Sequence, residues 1–233
     1  MNEFTPEQKE KYKDFTEDQM NEIKNGFENG LSEEQVDVYA KPEFNESQMR
    51  KIRMGFESGF SMEQVSVYAK PEFNSDQMGV LKDGLERGLS IEQVSSYANP
   101  KFDDFQMYRI GEGYGAGLSA EQVNVYAKPE FNSVQMKLIE DGFRNKLSME
   151  QVKAYAKPEF DLNQMWEIEN GLDECKLSIE QVGTYAKPEF NSKQMEVLKD
   201  ALRSGLSIEQ VIMCAKPELD SVQMWEIRDG LEY

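Results

Sequence analysis

Apolar residues recur along the chain in two helical patterns that alternate from one end to the other. In the longer pattern, Met78, Leu81 and Leu85 follow spacings of three and four, which is typical of one face of an α-helix. In the shorter pattern, Val65 and Tyr68 lie three residues apart on the same kind of face. Turn-forming residues separate the two patterns, so the sequence predicts an all-α protein of short helices joined by tight turns.

The two patterns together form a repeat that extends over the whole chain with a period of 29. A tyrosine before the segment AKPEF, or a close variant of it, marks the repeat, and Cys214 takes its place in the last copy. One interval is 30, because the segment 172–176 has one residue more than 143–146. Since neighbouring repeats must share a core, we predict one array, an α-solenoid of eight two-helix repeats. The repeat boundaries are predicted near residues 1–29, 30–58, 59–87, 88–116, 117–145, 146–175, 176–204 and 205–233.

Both helices of the repeat begin with the same capping signal. In the longer helix, Asn45 is followed three residues later by Gln48, the spacing of a capping box. Ser61 and Gln64 have this spacing in the shorter helix, so the repeated serines are predicted to be caps rather than nucleophiles. Glycines such as Gly30 precede the second cap and favour a left-handed helix end.

Two columns of the repeat predict close packing. Gly84 lies on the buried stripe of the longer helix, and Ala201 occupies the same slot, so this slot is predicted to be helical and small, allowing a neighbouring helix to approach. The tyrosine column is typical of either inter-repeat packing or a stacking ladder for sugars or bases. Its fixed place beside alanine and proline favours the core.

The segment GEGYGAG, residues 111–117, has the glycine content of a phosphate-binding loop. The repeat instead aligns it with a helix end carrying extra glycines, and neither a strand nor a Lys-Ser/Thr pair accompanies it. We therefore predict a weakened helix rather than a nucleotide site. At this helix the array is expected to flex and to divide into two halves.

Charge narrows the choice of partners. The 233 residues contain 44 acidic and 26 basic side chains, for a net charge of −18. Two zones, residues 3–37 and 159–180, hold most of this excess. A basic footprint for phosphate contact is missing, so we expect no direct nucleic-acid binding and a protein partner with a basic surface.

Composition also argues against catalysis and cofactors. The chain has no histidine and two cysteines, which excludes Ser/His and Cys/His pairs and imidazole metal sites. Carboxylates with the spacing of a metal loop are not evident, so neither a metal nor a cofactor is expected.

The charged N-terminus indicates neither a signal peptide nor a membrane anchor. We expect a cytoplasmic protein that is not an enzyme.

The repeat resembles a known class. The phrases QMRKIRMGFESGFSMEQVSVYAKPEF and QMGVLKDGLERGLSIEQVSSYANPKF are similar to helical-hairpin repeats in uncharacterised proteins of Firmicutes phages and conjugative elements. The resemblance covers essentially the whole chain. It implies a helical array in a mobile genetic element, and it carries no activity to particular residues.

One variable slot of the longer helix is the main candidate for partner binding. This slot, five residues after the cap, is predicted to point away from the buried stripe, and it contains Tyr108, Trp166 and Trp225, including both tryptophans of the chain. An exposed tryptophan rimmed by charge is typical of a binding hot spot. The alternative is that further repeats or a sister chain cover these rings.

Acidic and polar residues extend the predicted surface around each indole. Asn170 and Asp173 continue the ridge from Trp166. Asp229 and Glu232 continue it from Trp225. We expect a non-enzymatic protein–protein interaction scaffold, with inhibition of a host defence nuclease as a sharper form suggested by the resemblance. The alternative is an acidic DNA mimic that occupies a DNA-binding groove.

Overall fold

The computed structural model describes residues 4–231, and every regular element in that range is helical. This described part holds sixteen helices and no strand, which confirms the all-α prediction. Glu232, predicted to extend the surface beside Trp225, lies outside the described residues. Between residues 4 and 231, the helices are too short or too polar to cross a membrane.

Backbone contacts divide the chain into two compact modules, an N-terminal module of residues 1–115 and a C-terminal module of residues 116–233. In the N-terminal module, the long helices α2, α4, α6 and α8 pack each against the next, and the short helices α3 and α7 pack against the long helices that follow them. The helices are α1 Pro6–Lys11, α2 Glu17–Glu28, α3 Glu33–Tyr39, α4 Glu46–Glu57, α5 Met62–Ser66, α6 Ser75–Glu86, α7 Ile91–Tyr97 and α8 Asp104–Gly115.

The C-terminal module repeats this arrangement. Its long helices α10, α12, α14 and α16 pack in chain order, with the short helices α11 and α15 against α12 and α16. The helices are α9 Ala120–Tyr126, α10 Ser133–Arg144, α11 Met149–Tyr155, α12 Leu162–Asp173, α13 Ile179–Val182, α14 Ser192–Arg203, α15 Ile208–Cys214 and α16 Ser221–Leu231.

The predicted capping boxes are present. The Asn45 side chain accepts from the Gln48 backbone N–H at 2.9 Å, and Gln48 Oε1 accepts from the Asn45 N–H at 2.8 Å. Ser61 accepts from the Gln64 N–H at 3.2 Å, which confirms the serines as caps. Since such a cap contributes about 1 kcal/mol, the repeated signal fixes the start of nearly every helix.

The capping glutamine also links successive hairpins, which the sequence did not predict. While Gln48 Oε1 closes the box, its Nε2 donates to the Phe73 carbonyl of the next hairpin at 2.6 Å. Gln77 makes the same bond to Phe102, and Gln164 to Phe190, each at 2.6 Å. One buried amide therefore satisfies a helix start and joins it to the next repeat.

The tyrosine column lies in the core, so the packing prediction is confirmed and the stacking-ladder alternative is wrong. Tyr68 and Tyr97 are both 0% exposed. The small slot provides room for their hydroxyl groups, because a Cβ on Gly55 or Gly84 would overlap the Oη of Tyr68 or Tyr97. The space is therefore filled by a tyrosine side chain at or just after the end of the next short helix, rather than by a helix backbone. The same relation joins Gly26 with Tyr39, Gly142 with Tyr155 and Gly171 with Tyr185.

The glycine-rich segment is helical. Helix α8 continues to Gly115, so the predicted helix end is confirmed and the nucleotide-loop alternative is wrong. Gly117 then adopts φ +85°, the left-handed helix end that the sequence predicted. Lys146 and Lys176 take the same left-handed conformation without being glycine, at φ 68° and 54°.

Candidate functional site

The three aromatic residues of the variable slot lie on the surface, as predicted. Trp166 on α12 and Trp225 on α16 are each 47% exposed, and Tyr108 on α8 is 41% exposed. Their helices turn the apolar stripe inward, as shown by the fully buried neighbours Met165 and Met224. The capped start of each helix thus sets which side chain faces solvent.

Each indole has a basic side chain over its ring. Lys199 Nζ lies 5.2 Å from the Trp166 ring centroid, and the Arg228 guanidinium lies 5.2 Å from that of Trp225. Cation–π contacts of this kind contribute about 0.5 to 1 kcal/mol at exposed sites. The sequence predicted the acidic residues around the indoles but not the positive charge that lies over each ring.

Lys199 is held in place by a buried ion pair. Its Nζ lies 2.7 Å from Glu167 Oε2 and donates to Asn170 Oδ1 at 2.8 Å. Both partners of the ion pair are buried. Because Glu167 and Lys199 come from the adjacent helices α12 and α14, this pair fixes the Trp166 face relative to the next repeat.

Trp166 borders an open groove that brings two of the predicted residues together. Asn170 and Asp173 both line it, as the helical spacing from Trp166 predicted. Asp173 accepts a hydrogen bond from Asn145 at 2.8 Å and pairs with Lys176 at 3.2 Å. The full lining is Asn145, Trp166, Glu169, Asn170, Asp173, Glu174, Cys175 and Arg203.

Glu169 is the unusual residue of this groove. It is 8% exposed, and burial, followed by the charges of Asp173, Asp141 and Glu174, raises the pKa of its carboxyl to about 7. In the N-terminal module, by contrast, the hydrogen bond from Lys82 lowers the pKa of Glu86. Glu169 was not identified in the sequence analysis. Asp173, which lies four residues later and has the same charge, was a sequence feature that could have indicated it.

Trp225 borders a second, more apolar groove of the C-terminal module. Val222 on the same face of α16 is 64% exposed, and Val197 contributes from α14. The predicted Asp229 lies one helical turn after Trp225 on α16 and does not line this groove. The lining is Lys193, Glu196, Val197, Ser221, Val222 and Trp225.

Tyr108 belongs to the N-terminal module and has its own groove. Arg87 and Arg109 lie 5.7 and 5.5 Å from its ring centroid. Arg87 also pairs with Glu112. The groove is lined by Val80, Asp83, Glu86, Arg87 and Tyr108. Each aromatic residue of the slot is thus half-exposed, carries a cation over its ring and faces an open groove.

Other chemistry is sparse in the described part of the chain. Within residues 4–231, no group of three or more acidic or cysteine side chains is arranged to hold a metal ion. Cys214 is buried, and burial raises the pKa of its thiol. Cys175 lies in the Trp166 groove with its Sγ 3.8 Å from Asn170 Oδ1.

Comparison of the chain with protein-family models, with curated proteins and with solved structures found no match.

Proposed function

We propose that the chain is a non-enzymatic scaffold for protein–protein interaction, built as an α-solenoid of eight two-helix repeats with a period of 29. Its partner binds through the variable aromatic slot, with Trp166 and Trp225 as the principal anchors. The observation that carries this proposal is that the slot holds both tryptophans of the chain, each 47% exposed beside an open groove. Tryptophan and arginine are enriched among residues that dominate interface energetics.

The solenoid part of the proposal is supported by the recurring joint between repeats. In both modules, the capping glutamine bonds to a carbonyl of the next hairpin, as Gln48 and Gln164 do. If each repeat contacts only its neighbours, removing residues 59–87 in phase should leave a helical protein that unfolds cooperatively, with reduced stability. Loss of helical circular dichroism on this deletion would contradict the solenoid. Removing about half a repeat is the control, and it should unfold the chain.

The sharper form of the proposal is inhibition of a host defence nuclease, for which the resemblance to repeats of phage and conjugative-element proteins is the support. The excess of acidic residues suits a basic partner surface, and the grooves add apolar and cationic contacts to that charge. Together these features favour a partner that presents arginine or lysine beside an apolar patch.

The experiment starts from a protein retained from host lysate and identified by mass spectrometry. Its affinity for the purified chain is then measured with Trp166→Ala, Trp225→Ala and Asn21→Ala, a control in the same slot of α2 that lines none of the three grooves. Loss of a hot-spot tryptophan should weaken binding by about thirtyfold or more, corresponding to at least about 2 kcal/mol. The control should change it little.

Unchanged affinity of both tryptophan variants would refute the aromatic slot as the interface. Binding that collapses at about 0.5 M salt, and that is lost when carboxylates are neutralised while the tryptophan variants still bind, would favour the DNA mimic instead. Persistence of binding at that salt concentration is the expected result for the scaffold.

A further inference from the structure

The eighth residue after the cap of each long helix is a charged position that faces the interior in several repeats. Lys82, Glu140 and Lys199 are 6%, 1% and 5% exposed there. In three repeats this residue forms an ion pair with the residue four positions later on the same helix, which carries the opposite charge. These pairs are Arg53 with Glu57, Lys82 with Glu86, and Glu140 with Arg144.

Glu169 occupies this slot in α12 and lacks such a partner. The residue four positions later is Asp173, which has the same charge. Among residues 4–231, neither a hydrogen bond nor an ion pair reaches the Glu169 carboxyl, although the residue is only 8% exposed. Asp173 is satisfied by Asn145 and Lys176, so these two groups do not serve Glu169. A buried carboxylate without a counter-charge is costly, and this one opens on the Trp166 groove.

We propose that this groove binds a guanidinium group, supplied by an arginine of the protein partner, with the Glu169 carboxylate as its innermost acceptor and the Trp166 ring beside it. A guanidinium is planar, pairs with a carboxylate through two parallel hydrogen bonds and stacks on aromatic rings. The inference deepens the proposed function, since it names the chemistry of the partner at that surface.

The basic groups near the groove do not already fill this role. Lys199 is neutralised by Glu167 at 2.7 Å and donates to Asn170. Arg203 lines the groove, but its side chain is 63% exposed and its guanidinium lies 3.5 Å from Asp200. A ligand can therefore supply the counter-charge that the ionised form of Glu169 lacks among the described residues.

The groups around Glu169 also make the proposed contact depend on pH. Asp141 faces it from α10, Asp173 from α12, Glu174 from the C-cap of α12, and Arg203 from α14. Burial and the three carboxylates raise the pKa of Glu169 to about 7. A guanidinium pairs with the ionised form, which increases from about a tenth of the molecules near pH 6 to about nine tenths near pH 8. Affinity should therefore rise about tenfold over that interval.

The test uses the full chain and a blocked arginine residue, N-acetyl-arginine-methylamide, with the neutral citrulline analogue as the control ligand. Binding is followed by the indole N–H resonance of Trp166, which is assigned with Trp225→Phe. The arginine probe should shift this resonance and bind about tenfold more tightly near pH 8 than near pH 6. The citrulline analogue should not shift it.

Two acid-to-amide variants separate the groove from a general charge effect. Glu169→Gln should weaken binding of the probe and remove its pH dependence. Glu140→Gln changes the same slot one repeat earlier, where one carboxylate oxygen pairs with Arg144 and the residue does not line the groove, and should alter neither. Asp173→Arg supplies an internal cation in the pattern of Glu140 and Arg144, so it should abolish probe binding and lower the pKa of Glu169.

Equal binding of the arginine and citrulline probes, or an unchanged pH profile in Glu169→Gln, would overturn the inference. Free arginine binding more tightly than the blocked residue would make the groove a small-molecule site, which also overturns it. The outcome is distinguishable from failure of the proposed function. Partner binding that requires Trp166 but ignores Glu169→Gln rejects only the guanidinium groove, whereas probe binding with a partner that ignores both tryptophans rejects only the aromatic interface.

Discussion

Replacing Gly55 with alanine should lower the free energy of unfolding, although alanine is the better helix former. Gly55 lies in α4, where its open side is filled by the Tyr68 side chain. A Cβ on residue 55 would overlap Tyr68 Oη and lie 3.1 Å from its Cζ. Tyr68 is 0% exposed, so the ring has no solvent space into which it can move.

The two opposing contributions can be compared. Alanine favours the helix over glycine by about 1 kcal/mol. Overpacking a filled core costs about 1 to 3 kcal/mol, and more when the backbone must shift. Since the overlap involves the rigid end of a tyrosine ring, the upper part of that range applies. We expect Gly55→Ala to reduce the free energy of unfolding by about 1 to 2 kcal/mol, which is the overpacking cost less the gain in helix propensity.

Tyr68→Phe should rescue much of this loss. The Tyr68 hydroxyl is buried and has no hydrogen-bond partner among the described residues, so its removal alone should be neutral or stabilise by up to about 1 kcal/mol. In the double variant, only the approach to Cζ remains close. The two changes should therefore couple favourably, by at least about 1 kcal/mol in a double-mutant cycle.

The assay is urea unfolding followed by circular dichroism, with hydrogen exchange of α4 as the local readout. Gly230→Ala is the matched control, because Gly230 occupies the same slot in α16 and nothing lies within 4 Å of an added Cβ. That control should be stable or stabilised. If Gly55→Ala also stabilises the protein, or if its effect is additive with Tyr68→Phe, the explanation of the small slot is wrong.

The remaining predictions concern stability as well. Lys146→Gly should stabilise by up to about 1 kcal/mol in urea unfolding, because the left-handed conformation at φ 68° costs a side chain about 1 to 2 kcal/mol and glycine has no such cost. Trp166→Ala should lower the free energy of unfolding, followed by thermal denaturation, by well under the roughly 3 to 5 kcal/mol expected of a buried tryptophan, since the residue is 47% exposed. A loss of that size would place the ring in the core. Because the pKa of Glu169 is raised to about 7, the folded state binds its proton more tightly than the unfolded chain does. The free energy of unfolding should therefore fall as the pH rises through the acidic range to about 7. Glu169→Gln should remove this fall, worth up to about 3 kcal/mol, when urea unfolding is compared near pH 5 and pH 8. Hydrogen exchange should be faster in residues 108–117 than in 79–88, because the first segment has four glycines and the second has three, and each glycine weakens a helix by about 1 kcal/mol.

Features that depend on neighbouring residues along the chain were predictable from sequence. The capping boxes are an example, since Asn45 and Gln48 bond within one helical turn. The second bond of Gln48, to the Phe73 carbonyl, depends on how one hairpin lies against the next, and no local rule specifies that distance. The exposure of Trp166 was also predictable, because helical periodicity fixes which side of α12 it occupies.

The small slot shows a signal that was present in the sequence and not used. Ala201 replaces glycine only in the seventh repeat, and Cys214 replaces the tyrosine in the eighth, which is the position that packs on the small slot of the repeat before it. Both residues are fully buried. Once the hydroxyl of tyrosine is known to occupy the slot, the paired change is expected, since a shorter side chain leaves room for the Cβ. The joint change at these two positions of the repeat therefore indicates, from sequence alone, that the two side chains are in contact.

Glu169 also differs from the residues at the equivalent position of other repeats. Where a buried charged slot carries opposite charges four residues apart, as in Lys82 and Glu86, the helix supplies its own counter-charge and the pair needs no ligand. At Glu169 the pattern retains the burial but not the counter-charge, so the repeat carries a folding cost that its neighbours avoid. The fold does not require this, because α10 carries the oppositely charged Glu140 and Arg144 at the same two positions. A cost confined to one repeat, in a groove beside an exposed indole, is therefore more readily explained by binding than by folding.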